Sequence, residues 1–159
     1  MLAFCGQERC LLDSNSRLRL TPHFVEDFTR RCNGEIVMLG LPEGAIALYP
    51  EEVYTEIRRR ELGALEIVGS SFAARRSLRR FGALTQPDTI TRQGRVTIPA
   101  GFREFAGIGI NKEVYVVGTE IGVEIWAPER FDAEMKAIQE HLMKKREQEM
   151  LADLENKNF

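Results

Sequence analysis

Four arginines stand beside two short polar turns. Arg17 and Arg19 follow Asp13-Ser14-Asn15-Ser16, and Arg92 and Arg95 enclose Gln93-Gly94 after Thr91. A guanidinium is a planar, permanently charged fork of donors. It matches the paired acceptors of a guanine edge or the oxygens of a phosphate. The competing reading is a solvated arginine beside a hairpin turn, and for Arg19 and Arg92 that alternative is an equal one. Asp13 can hydrogen-bond its own loop or hold the side chain of Arg17. No nucleophile is spaced with a base and an orienting group, and no glycine-rich loop could cradle a phosphate. His23 has no partner inferable from spacing, and His141 lies in a charged stretch. Cys5, Cys10 and Cys32 lack the pairing of a metal site and read as free thiols of a cytosolic protein. The expectation is therefore no enzyme, no metal, no cofactor and no small-molecule substrate.

The elements that must position these arginines repeat. Thr89 to Thr91 reads as an arriving strand, and Gln93-Gly94 as a tight turn in which Gly94 can take a positive φ. Arg95 to Ile98 alternates as a half-buried strand, and Pro99 opens a short helix. A shift of 78 residues lays Asp13–Val53 on Thr91–Phe131 without a gap. Arg17 then falls on Arg95, Phe24 on Phe102, Asn33 on Asn111, Gly40 on Gly118, Gly44 on Gly122 and Pro50 on Pro128. Leu18 matches Val96 and Leu20 matches Ile98. A period this long, seen twice, indicates a duplicated small module rather than a solenoid.

The remaining pattern predicts a strand over 3–12, a turn at 13–16 and a strand over 17–20. Thr21 caps a helix that has Pro22 at its first position and ends at Asn33-Gly34. Residues 35–39 and 45–49 form a hairpin, and Pro50 starts a second helix. Residues 64–70 are ambiguous, and Ser70 or Ser71 caps a helix over 72–81. The second module supplies a helix at 99–106, strands at 113–118 and 123–126, and a long helix from Pro128. Its apolar stripe of Phe131, Met135, Ile138 and Leu142 stops near Met143, so the tail beyond about 145 is expected to be solvated or frayed. Phe24, Phe28, Phe102, Phe105 and Trp126 are assigned to the core.

Composition bounds the partners. With 43% hydrophobic residues the 159-residue chain can build a core, whereas a single module of about 50 residues is marginal alone. No apolar run reaches the ~18 residues of a membrane helix, and the N-terminus has no secretory pattern. The net charge of −2 does not announce nucleic acid, but every base in residues 1–87 is arginine. Cations gathered on one face would suffice. Arg58–Arg60 reads as a solvated face. Arg75, Arg76, Arg79 and Arg80 repel one another at i, i+4 and so call for phosphate or for acids of the terminal helix or of a neighbouring subunit.

Thr91-Arg-Gln-Gly-Arg95-Val-Thr-Ile-Pro99 resembles the swapped-hairpin module of AbrB-like transcription factors and antitoxins. Two copies in one chain, together with Phe4-Cys-Gly6, Leu12-Asp13-Ser-Asn-Ser-Arg17-Leu18 and Glu124-Ile-Trp126, resemble the MraZ family over roughly residues 4–131. Ser16 stands where that first turn usually has glycine, and Thr91 where the second has aspartate. The resemblance implies a mainly β fold with short helices (α+β). Two AbrB/SpoVT-like modules, 4–54 and 87–131, would form a pseudo-two-fold unit joined by connecting helices over 55–86, with a C-terminal helix and tail over 132–159. It implies a sequence-specific DNA-binding regulator, cytoplasmic and nucleoid-associated, that represses its own division and cell-wall genes. A homo-oligomer, as a ring, would bind direct repeats of promoter double-stranded DNA. Arg17, Arg19, Arg92 and Arg95 would contact DNA, Ser14 and Asn15 would hold phosphates, and Asp13, Thr91 and Gly94 would shape the loops. The alternatives are an antitoxin-like regulator whose C-terminal segment binds a protein, and an oligomeric scaffold without DNA contact.

Overall fold

The computed structural model describes residues 2–63 and 71–157, so the ambiguous stretch 64–70 lies outside the described residues. The chain divides into two units, one ending at Ala127 and one starting at Pro128. The first runs β1 (Gln7–Leu12), β2 (Arg17–Arg19), α1 (Pro22–Cys32), β3 (Glu35–Gly40), β4 (Ile46–Pro50), α2 (Glu51–Leu62) and α3 (Phe72–Ala83). It continues with β5 (Thr85–Thr89), β6 (Arg95–Thr97), α4 (Ala100–Ala106), β7 (Lys112–Gly118) and β8 (Val123–Trp126). β1 begins later than the alternation suggests, because Phe4 at φ 52° and Gly6 at φ 95° break the extended run. Thr21 is at the N-cap of α1, but its hydroxyl meets His23 Nδ1 at 3.2 Å and makes no cap bond to the helix. α1 closes as expected: Asn33 takes φ 57°, and the Asn33 and Gly34 amides bond back to Thr29 and Phe28. Ser71 is the cap of α3, its Oγ accepting from the Ala74 amide at 3.0 Å.

The eight strands form one antiparallel sheet in the order β5-β3-β4-β8-β7-β1-β2-β6. Most of the long pairings join the two halves of the chain. β1 lies on β7 and β5 lies on β3, in matching register: Leu11 faces Glu113, and Thr89 faces Glu35. Those are equivalent pairs under the 78-residue shift. β2 lies on β6, with Leu18 opposite Val96, and β4 lies on β8. The hairpins differ by one residue. Leu41 and Ala45 close the first, whereas Thr119 and Gly122 close the second. The ungapped match of Gly44 to Gly122 therefore slips by one beyond Gly118. Phe24, Phe28 and Phe102 fill the core with Leu12, Leu18, Leu48, Ile98 and Ile125. Trp126 is buried with its indole N–H on Glu124 at 2.9 Å. Tyr49 is buried as well, and burial pushes its hydroxyl up to about 12.

The N-terminal segment is locked into this core. Phe4 is 1% exposed and meets the Phe28 ring at 4.6 Å between centroids. Its amide donates to Asp27 Oδ2 at 3.0 Å, and its carbonyl accepts from Glu120 at 2.9 Å. Gly118 allows the approach, since a Cβ there would sit 2.2 Å from the Phe4 carbonyl oxygen.

The second unit is one helix, α5 (Pro128–Lys157). It corrects the expectation of a frayed tail, because the helix continues for more than three turns past Met143. The helix is solvated, as expected for that stretch: the described residues beyond Met143 are all exposed. Glu, Lys, Leu, Met and Ala dominate that stretch, and their helix propensity sustains it after the apolar stripe has ended.

Candidate nucleic-acid interface

The two turns share a frame and differ in their locks. Asp13 Oδ1 accepts from the Asn15 amide at 2.8 Å and from the Arg17 amide at 2.9 Å. Thr91 Oγ1 accepts from the Arg95 amide at 3.0 Å. Of the two roles open to Asp13, the loop bond is the one formed; its carboxylate holds the Arg17 backbone and leaves the guanidinium free. Ser16 and Gly94 take the same left-handed position, at φ 62° and 83°. The Ser16 carbonyl accepts from the Ile98 amide, and the Gly94 carbonyl from the Leu20 amide, both at 2.8 Å. Each turn is thus tied to the strand end of the other half, which extends the short β2–β6 pairing at both ends.

That pairing decides which way the arginines face. Leu18 and Val96 are buried, so Arg17, Arg19, Arg95 and Thr97 stand on the solvent face of the ribbon. Arg17 lies opposite Thr97, and Arg19 lies directly opposite Arg95. Like charges in that relation destabilise a sheet. Among the described residues, no acceptor bonds the guanidinium of Arg17, Arg19, Arg92 or Arg95. Ser14, Asn15 and Arg92 are exposed on the turns at either end. The two-stranded ribbon has the dimensions of elements that enter a major groove. Thr97 is a ribbon-face residue that the candidate set omits: the alternation of Arg95 to Ile98 places it beside Arg95, and only the pairing shows it opposite Arg17.

Several helical arginines are engaged elsewhere. Arg31 bonds Glu52, Arg80 bonds Glu61 at 3.0 Å, and Arg76 covers the Phe72 ring at 4.5 Å. Arg59 and Arg60 both grip Glu56 and hold its carboxyl down at about 2. The acid met by the 75–80 cluster is thus on α2, for Arg80 at least. Among the described residues no group of three or more His, Cys, Asp or Glu could hold a metal ion, and no helix is long and apolar enough to cross a membrane.

Comparison with known proteins identifies relatives of the chain. A family model described as "MraZ protein, putative antitoxin-like" matches residues 85–153. The transcriptional regulator MraZ of Nitrosomonas eutropha is 31% identical over 83% of this chain and 86% of its own. Its counterpart in Chlorobium phaeobacteroides is 30% identical over 82% and 86%. That of Nitrosospira multiformis is 28% identical over 84% and 88%.

Proposed function

Since the chain belongs to the MraZ family, we propose that it is a DNA-binding transcriptional regulator, not an enzyme, and that the β2–β6 ribbon is its reading head. The observation that carries this is the set of unpaired guanidiniums on one exposed face, within a chain whose other arginines largely have acids or rings beside them. Arg17 and Arg95 address the floor of the major groove, and Arg19 and Arg92 address flanking phosphates. Ser14 and Asn15 hold phosphate oxygens through hydroxyl, amide and backbone donors. Asp13, Thr91 and Gly94 keep both turns in shape. The matching registers of β1–β7 and β3–β5 support two interlocked copies of one AbrB-like module about a pseudo-two-fold axis. One ribbon is too small for a specific DNA interface, so we propose a homo-oligomer, as a ring, on promoter repeats spaced by about one helical turn of 10–10.5 bp. Its target is the chain's own division and cell-wall genes, repressed in the cytoplasm at the nucleoid.

The test is fluorescence anisotropy with the DNA upstream of the protein's own gene. Wild type should bind with a steep salt dependence. Arg17→Ala should remain folded and lose about 1–3 kcal/mol for each lost bidentate contact. Light scattering should find a species larger than a dimer, and moving the repeats by half a turn should nearly abolish binding. Equal affinity of wild type and Arg17→Ala would remove the ribbon from the interface. A second reading draws on the exposed Ile138, Leu142, Met150 and Leu154 of α5: an antitoxin-like regulator holds a protein partner there. Copurification of a small toxic protein with the full chain, lost on deleting 146–159, distinguishes it.

A further inference from the structure

Beside the ribbon lies an open groove of about 830 Å³ between α1 and the turn at 91–94. Its apolar lining is Pro22 and Val25 over the buried Leu20, and Thr29, Arg19, Arg30 and Arg92 line it as well. The volume falls within the roughly 300–1,000 Å³ of small-molecule sites, which join an apolar lining to a few placed polar groups. The rim acid Glu26 faces Arg30 at 3.5 Å, so it does not neutralise Arg19 and Arg92. We propose that this groove binds a small amphipathic anion, an apolar chain or ring bearing one acidic group, and that its binding displaces DNA.

The argument is one of matched chemistry. An apolar body covers Pro22 and Val25, above the buried Leu20, while its anionic end meets Arg19 and Arg92, two cations that have no acceptor within the described protein. A neutral ligand of the same shape would leave them uncompensated. The equivalent position beside α4 lacks this combination. There the 78-residue shift places Arg103 for Val25, Ser14 for Arg92 and Thr97 for Arg19. The floor loses its apolar centre and the rim its cations, so each chain carries one such site. Displacement follows because the groove holds the same Arg19 and Arg92 that the ribbon offers to phosphate; only this step rests on the DNA reading.

Occupancy is measured on the full chain without DNA, by methyl NMR at Leu20 and Val25, using octanoate as the probe with octanol and acetate as controls. Octanoate should shift both residues and saturate. Octanol should bind about tenfold more weakly, the loss expected for one charge-assisted hydrogen bond. Acetate should not saturate. Thr29→Trp fills the groove from an exposed position and should abolish saturation while leaving DNA affinity intact. Arg92→Gln should bring octanoate down to the affinity of octanol. In anisotropy, octanoate should release DNA from wild type with a midpoint that, corrected for competition with DNA, agrees with that of the methyl shifts, and should leave the Thr29→Trp complex unaffected. Failure to saturate, or equal binding of octanol and octanoate, overturns the site. Saturation with DNA affinity unchanged overturns the displacement. If no DNA binds under any condition, saturation by octanoate still upholds the site and only the functional reading falls.

Discussion

Arg19 and Arg95 face each other across β2–β6, so removing one charge should strengthen the free protein and weaken its hold on DNA. The chosen variant is Arg19→Thr, which creates the Arg–Thr pairing already present at Arg17 and Thr97. Opposed Cβ atoms lie about 5 Å apart, and exposed guanidiniums splay to roughly 6 Å. Two unit charges at that distance in water repel by about 0.7 kcal/mol. Physiological salt, with a screening length of about 8 Å, reduces this to about 0.3 kcal/mol, whereas about 0.01 M salt leaves about 0.6 kcal/mol. Calorimetry should therefore record a melting temperature higher by about 1 °C in physiological salt, and a larger gain, of about 2 °C, in dilute buffer. On DNA the sign reverses. Each lost phosphate contact should flatten the slope of log K against log salt by about 0.9. A fall in stability, or a gain equal at both salts, refutes the repulsion argument. An unchanged salt slope removes Arg19 from the DNA contacts.

Four further outcomes follow from the turns and the core. Ser16→Gly should gain about 0.5–1 kcal/mol in urea titration, since a left-handed φ costs an L residue about 1–2 kcal/mol and the freer unfolded glycine returns part of it. Gly94→Ala should lose about 2 kcal/mol or more, because its Cβ would meet Val25 Cγ2 at 2.7 Å and the Leu20 carbonyl oxygen at 3.0 Å; a neutral result would mean the turn relaxes. Asp13→Ala removes two hydrogen bonds and Thr91→Ala one, so the first should cost roughly 1 kcal/mol more; equal losses would show that the two turns are energetically equivalent. The raised Tyr49 hydroxyl favours the neutral form in the fold. Its contribution is complete below pH 10, where the unfolded chain is also neutral, and drains as pH rises from 10 towards 12. Tyr49→Phe should flatten that alkaline limb of the stability curve, and an unaltered limb refutes the assignment.

The local signals in the sequence were read at short range and mostly survive there. Asp13 and Gly94 announce turns because a side-chain acceptor and a positive φ are properties of one or two residues. Asn33-Gly34 ends α1 for the same reason. β5 lies at Thr85–Thr89, earlier than the strand expected at 89–91, because Pro87 sits inside it, and Pro is tolerated there since β5 is at the end of the sheet. The start of β1 was hidden by Phe4, whose positive φ is stabilised by Asp27 and Glu120, contacts far away in sequence. For the site, residue type and turn position pointed to the four arginines. The joining of the two strands into one ribbon face and the Arg19–Arg95 and Arg17–Thr97 oppositions were invisible, because each depends on pairing between strands about half a chain apart.

The interlocked strand order also governs how the protein comes into being. Gln7 pairs with Val117, and Glu35 pairs with Thr89. During synthesis β1 therefore waits for β7, at about 5–20 residues per second an interval of roughly 5–20 s. Until then β1 and β3 present open edges, and a growing chain that ends after α3 holds neither partner. The long loops that must close make this a slow, high-contact-order topology. Nascent chains on neighbouring ribosomes of one messenger carry the same unpaired edges, and an exchanged β5 or β7 would link two molecules with native hydrogen bonds. The strand pairing between the two halves of one chain is thus also a route to misassembly.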